Sequence, residues 1–213
     1  MSKSFKGEYK LTDIISTEAE LRELLGHPSE LVKRKVISTL DEHCQEFISK
    51  SPFLVIASSD EFGHCDVSPR GDEPGFIFIE NEHRLVIPER PGNKRMDTLR
   101  NILKNPRVGL IFLIPGLGET LRVNGKAFIT KNEKVLEKMA ARGKTPVVGI
   151  CVDVEECFIH CAKAFKRSKL WEPQMWLEKE ELPTASNILF AHTNFSSVED
   201  IEASLKESYT KRL

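Results

Sequence analysis

The sequence predicts a mainly β protein with peripheral helices, an α+β chain whose six or seven antiparallel strands close into a small barrel. Three observations predict it. Short apolar runs recur between Ser51 and Thr130, separated by hairpin-type turns. Helical periodicity is confined to the flanks and two short insertions, with no regular β-α-β alternation, which argues against a doubly wound parallel sheet. So many antiparallel strands leave unpaired edges, and closure into a barrel removes them.

Taken in order, Thr17 to Leu25 reads as a helix with Thr17 as N-cap and Glu20 completing a capping box, ended by Gly26. Glu30 to Ser49 reads as one longer helix, since Leu31, Val36, Leu40, Cys44, Phe47 and Ile48 recur at three-to-four spacing. Ser51-Pro52 breaks it. Strands are expected over Phe53–Ser58, His64–Ser68, Phe76–Ile79 and Arg84–Pro88; Pro69 ends or edges the second of these because it cannot donate to a ladder, and Arg70-Gly71-Asp72 follows as a loop. A short helix follows over Asp97–Lys104. Two long strands, Arg107–Ile114 and Glu119–Thr130, are joined by Pro115-Gly116-Leu117-Gly118. That G-x-G precedes a strand rather than a helix, so it is a hairpin turn and no dinucleotide fingerprint. Asn132–Arg142 is helical, Val147–Ala164 is one more strand bent near Asp153, and Leu182–His192 and Ser197–Tyr209 are helices. The organisation expected is an N-terminal helical cap over residues 1–50, a barrel domain over 51–171 and a helical extension over 172–213.

With 31 basic and 32 acidic residues among 213, nothing points to a nucleic-acid or membrane-surface binder. No apolar run approaches a membrane span, the N-terminus lacks a signal-type apolar region, and five cysteines without a C-x-x-C pair fit a reducing cytoplasm. Cys157, His160 and Cys161 invite a metal reading. On a strand, however, Cys157 and Cys161 stand about 13 Å apart, too far for one zinc with bonds of about 2.3 Å. No metal is expected. A serine-hydrolase reading fails because Ser68 lacks the G-x-S-x-G elbow.

Two polar interruptions carry the chemistry: Ser68-Pro69-Arg70-Gly71-Asp72 and Arg90-Pro91-Gly92-Asn93-Lys94-Arg95. Each follows an apolar strand and sets cations beside glycine and a small hydroxyl or amide. Guanidinium forks match phosphate oxygens in pairs, and Ser68 and Asn93 add hydrogen bonds. Asp72 reads as an ion-pair partner of Arg70. The pattern suits a phosphate monoester on a flat organic cofactor.

These strings also carry a resemblance. Asp66-Val67-Ser68-Pro69-Arg70-Gly71-Asp72, Ile87-Pro88-Glu89-Arg90-Pro91-Gly92-Asn93-Lys94-Arg95, Asn105-Pro106-Arg107-Val108-Gly109, Glu119-Thr120-Leu121-Arg122-Val123-Asn124-Gly125 and Arg167-Ser168-Lys169-Leu170-Trp171 occur in the order and spacing of one family. From about Leu40 to Pro173 the chain resembles the pyridoxamine 5′-phosphate oxidase-like, FMN-binding split barrels, in particular a bacterial flavoprotein branch.

The resemblance implies a split β-barrel, a homodimer, and FMN in a groove at the dimer interface. It implies that Val67, Ser68, Pro69 and Arg70 line the flavin, that Pro88 and Glu89 meet the cofactor, and that Lys94 and Arg95 clamp the phosphate, beside the Asn93 hydrogen bond read from the loop itself. It further places Thr120 and Arg122 on the strand facing the ring system and has Lys163, Arg167 and Ser168 reach over from the other subunit; a cation near the flavin N1/C2 edge stabilises the reduced anion, and Arg122 is the candidate for it.

Cys65 stands where true pyridoxamine phosphate oxidases have an arginine, and neither Trp171 nor Trp176 reproduces their C-terminal motif, so vitamin B6 oxidation is not implied. The expected function is an FMN-dependent oxidoreductase with a small-molecule substrate. The alternatives are a flavin-binding redox sensor or carrier without turnover, or a related barrel using a deazaflavin or haem, with His160 as the haem ligand.

Overall fold

A computed structural model describes residues 12–211. They fall into two units, divided after Lys35. The smaller holds α1 (Glu18–Leu25) and α2 (Glu30–Arg34). In α1 the Thr17 hydroxyl accepts from the Glu20 amide, and Gly26 ends the helix at φ 76°, where a residue without Cβ is favoured. The Glu20 carboxylate accepts from the Ser16 amide, one residue ahead of the capping-box position.

The larger unit begins at Val36, and here the expected single helix over 30–49 is broken. Val36, Ile37 and Thr39 are β-branched and favour extended backbone. Ile37 exchanges both backbone hydrogen bonds with Cys157, at 3.0 and 2.7 Å. The helix restarts as α3 (Glu42–Lys50), nucleated by the Asp41 carboxylate, which accepts from the Cys44 amide at 2.8 Å.

Seven antiparallel strands follow: β1 (Phe53–Ser59), β2 (Cys65–Gly71), β3 (Phe78–Asn81), β4 (Arg84–Pro88), β5 (Arg107–Leu113), β6 (Thr120–Thr130) and β7 (Gly149–His160). They form one sheet in the order β2-β1-β5-β6-β7-β4-β3. Its concave face is lined by Leu54 and Ile56, Leu110 and Phe112, Leu121 and Val123, Val152 and Cys157, and Leu85 and Ile87, with Leu40, Ile48 and Ile102 filling the core. β4 and the first half of β7 are buried on both faces, because α5 (Glu133–Glu137) and its C-terminal turn pack Leu136 and Met139 on Val86 and Cys151. This is the split-barrel fold.

The remaining helices are α4 (Asp97–Lys104), α6 (Lys163–Ser168), α7 (Ala185–Thr193) and α8 (Val198–Lys211). α4 has the bounds the pattern predicts. The last strand stops at His160 rather than Ala164, and the chain turns into α6. The bend in β7 is a bulge: Asn124 pairs with Glu156 but Gly125 with Val154, leaving Glu155 unopposed. A Cβ on Gly125 would stand 2.0 Å from the Asp153 carbonyl oxygen, so the bulge demands glycine there.

Candidate functional site

β2 is an edge strand, and its alternation divides the first motif between two faces. Leu54 opposes Arg70 and Ile56 opposes Ser68, so Ser68 and Arg70 share the face of the core. Val67 and Pro69 lie on the outer face, Val67 65% exposed. Pro69 is tolerated because nothing pairs with its outer side. Gly71 lies within the strand, where a Cβ would meet the Pro52 carbonyl oxygen at 3.3 Å and the Phe53 ring at 3.4 Å. Its lack of a side chain serves strand packing.

Three side-chain links fasten β2 to the segment after β4. Thr98 donates its hydroxyl hydrogen to the Asp66 carboxylate at 3.0 Å. The Arg70 guanidinium pairs with Glu89. Arg90 Nε donates to Asp72 at 2.7 Å. The two polar motifs, 18 to 32 residues apart along the chain at these links, thus meet at one seam. The expected Arg70–Asp72 pair does not form: period-two geometry sends both side chains toward the seam, where each finds a partner from the other loop.

Asp72, only 4% exposed, also accepts from Arg142 at 3.2 Å, and Arg90 donates a second hydrogen bond to the Met139 carbonyl at 2.9 Å. A cavity of about 330 Å³ opens beside this node, lined by Asp72, Phe76, Arg90, Met139 and Arg142 among others. Asp66, Asp72, Thr98, Arg90 and Arg142 were not singled out as site residues from sequence. The available signal was the spacing of 66, 68, 70 and 72, which places four polar side chains on one face of a strand.

Arg70 is 14% exposed, and its Nε–H is buried without a partner among the described residues. An orphaned donor of this kind costs free energy unless a ligand or water satisfies it.

The second motif is exposed from Pro91 to Met96. The Asn93 side-chain oxygen accepts from the Arg95 amide at 3.0 Å, so it shapes the loop itself. Lys94 and Met96 adopt left-handed backbone, with φ of 62° and 59°, a conformation uncommon outside glycine. Lys94 makes no ion pair among the described residues. Arg95, 75% exposed, holds Asp97 at 2.7 Å, and this hydrogen-bonded guanidinium keeps the Asp97 carboxyl below its ordinary value. Pro88 is buried at the end of β4, and the Glu89 amide is held by the Val148 carbonyl at 3.1 Å.

On the outer face, Pro69, Val55, Ile111, Arg122 and Phe158 form one cross-strand row. Arg122 lies three strand spacings from Pro69, roughly 14 Å, and its guanidinium lies over the Phe158 ring at 5.4 Å from the centroid. Thr120 is buried opposite His160. Lys163, Arg167 and Ser168 lie on α6. That helix is anchored to the turn between β5 and β6: Ala162 packs against Gly118, and Trp171, stacked on Phe165, donates to the Leu117 carbonyl at 2.9 Å. Ser168 donates to the Phe165 carbonyl at 3.1 Å. Within one chain, no hydrogen bond or ion pair joins these three residues to the β2 seam among the described residues.

The cysteines of the metal reading separate. Cys157 is buried with its sulfur 3.3 Å from that of Cys44, and Cys161 is exposed. The hydrogen bond to Cys157 and burial both raise the Cys44 thiol. Among the described residues no group of three or more His, Cys, Asp or Glu is placed to hold a metal ion.

A family model described as pyridoxamine 5′-phosphate oxidase matches residues 40–161, more than half of the chain. The chain belongs to the pyridoxamine 5′-phosphate oxidase family. The match runs from just before α3 to just after β7. It spans the whole barrel and the β2 seam, and ends before α6 with Lys163, Arg167 and Ser168.

Solved structures are similar to part of the chain. HupZ of Group A Streptococcus is 17% identical, with 56% of this chain and 92% of that one covered and a TM-score of 0.47. General Stress Protein 26 of Bacillus anthracis is 14% identical over 54% and 88%, at 0.42. HutZ, the heme storage protein of Vibrio cholerae, is 16% identical over 57% and 93%, at 0.41. No curated protein matches the chain. Among the described residues no helix is long and apolar enough to cross a membrane.

Proposed function

We propose that this member of the pyridoxamine 5′-phosphate oxidase family binds FMN and is an FMN-dependent oxidoreductase, working as a homodimer in the cytoplasm on a small molecule. The observation that carries the reading is the β2 seam. There the Arg70 Nε–H is buried without a partner among the described residues, on a strand that is paired on one side only, and Lys94 in the loop after β4 makes no ion pair among the described residues. A doubly charged phosphate monoester satisfies such donors better than a neutral group.

In this reading Lys94, Arg95 and Asn93 hold the phosphate, and Ser68 and Arg70 add donors from the core side of β2. Val67 and Pro69 offer backbone and apolar surface along the flavin, and Pro88 and Glu89 bound the pocket where β4 ends. Thr120 and Arg122 face the ring from the sheet, with Arg122 as the cation on that side. Lys163, Arg167 and Ser168 belong to the partner's contribution, which accords with their separation from the seam within one chain. The bound flavin supplies the electron or hydride transfer, and the protein positions it and excludes water. Vitamin B6 oxidation is no part of the proposal, because Cys65 offers no guanidinium.

Absorbance of the purified protein tests the cofactor. Bands in the near-ultraviolet and blue, released on boiling and identified as FMN by mass, are expected. A Soret band, or a colourless protein that takes up no FMN on soaking, overturns the proposal. Stopped-flow reduction by NADH or NADPH against a panel of acceptors then separates an enzyme from a carrier.

A further inference from the structure

The two C-terminal helices present apolar surface with nothing over it. Ile188, Leu189 and Phe190 follow one another on α7 and all three are exposed; Phe195, in the turn to α8, is 76% exposed. Ser186 is the one buried residue of α7. A helix that is apolar at successive positions, rather than along one stripe, belongs in an interior. Between α7 and α8 lies a wide apolar hollow lined by Leu189, Thr193, Phe195 and Ile201. Eight large apolar side chains from Met175 to Phe195 are exposed, a density that points to a contact surface rather than to isolated surface residues.

The same chain has a second uncovered apolar surface. It is the outer face of β2, β1 and β5, where Val67 and Phe53 are exposed and Val55, Ile111 and Leu113 are half-buried. Charge adds direction. Residues 185–211 hold four acidic side chains, all on α8, and two basic ones, whereas residues 163–169 hold Lys163, Lys166, Arg167 and Lys169 with no acid. The hairpin is an acidic, apolar element, and the barrel offers an apolar face and a basic helix.

We propose that the α7–α8 hairpin docks on the barrel of a second copy of this chain, with its apolar side at the Phe53–Leu113 end of the outer face, beside the Pro69–Arg122 row that faces the flavin, and its acidic α8 toward α6. Reciprocal exchange about a two-fold axis covers both surfaces on both copies at once. The inference rests on the homodimer reading and goes beyond it: the hairpin of one copy closes over the groove at β2 of the other.

The test uses the full chain. Ile188 and Phe195 are exposed in the single chain, so Ile188→Glu and Phe195→Glu leave its fold unchanged by circular dichroism. Sedimentation equilibrium is expected to show the dimer weakened at least tenfold by each. A photoreactive benzoylphenylalanine at position 195, in a mixture of isotopically light and heavy copies, is expected to crosslink between copies to β1, β2, β5 or α6. A dimer unaffected by either substitution, or crosslinks confined to one chain or to partners other than this protein, overturns the hairpin docking while leaving the dimer standing. A monomeric wild-type protein overturns the dimer reading and the docking with it.

Discussion

Arg70, on the edge strand β2, and Glu89, one residue beyond β4, form an ion pair that joins two strands far apart in the order of the sheet. Both side chains are largely buried, so the pair sits where removing one partner strands the other. Replacing Glu89 with Gln should destabilise the fold by about 3 kcal/mol in urea unfolding, the lower end of the range for breaking a buried pair. Replacing Arg70 with Lys keeps the charge but removes Nε, and should weaken FMN more than it lowers stability. Unchanged FMN affinity in R70K would show that the orphan donor does not face the cofactor.

Lys94 and Arg95 provide the exposed cations of the second loop. With both changed to alanine, FMN binding should fall by roughly two to four orders of magnitude, from two charge-assisted contacts at about 1.5–3 kcal/mol each, and riboflavin binding should change little. Fluorescence titration with the two ligands checks this. Equal losses for both would mean the pair does not meet the phosphate.

Asp72 is a structural node before it is anything else. It holds Arg90 and Arg142 from a position almost closed to solvent. Asp72→Asn should cost about 3 kcal/mol, because two guanidiniums lose their countercharge. The substitution should also loosen the turn after α5, readable as faster amide exchange at Met139 to Arg142. A change within half a kcal/mol would remove the node from the account of the seam.

Asp41 supplies a pH signature. The hydrogen bond from the Cys44 amide, which Asp41 caps, holds its carboxyl below the ordinary 3.8. Its folded value lies below the unfolded one, so its contribution is complete above pH 3.8 and is lost as pH falls through the folded value. Asp41→Ala should therefore cost about 1 kcal/mol near neutrality, the usual worth of an N-cap. The gap to wild type should close under acid. A gap that persists at pH 2 would assign the loss to something other than the charged cap.

How far the sequence could be read depended on the range of the interaction. α4 and β4 were legible to the residue because their apolar positions, the stop at Asn105 and the Pro88 end are local signals. The helix over 30–49 was misread because its helical spacing is real in isolation. Only the Ile37–Cys157 pairing, 120 residues distant in the chain, draws the β-branched stretch into an extended conformation. The same reason explains the ion pairs. Arg70 and Asp72 look like partners in sequence, yet each bonds to a residue that only the closure of the sheet brings near.

By itself, then, the sequence determined most of the element types and the presence of two cationic motifs, because period, turn chemistry and charge are properties of neighbouring residues. The tertiary structure alone decided that the motifs share one seam, that Arg70 keeps an unsatisfied donor while Arg90 and Arg142 are bound to Asp72, and that α7 is left uncovered. Those outcomes depend on sheet curvature and strand order, and no short window of residues encodes which distant partner reaches a given side chain first.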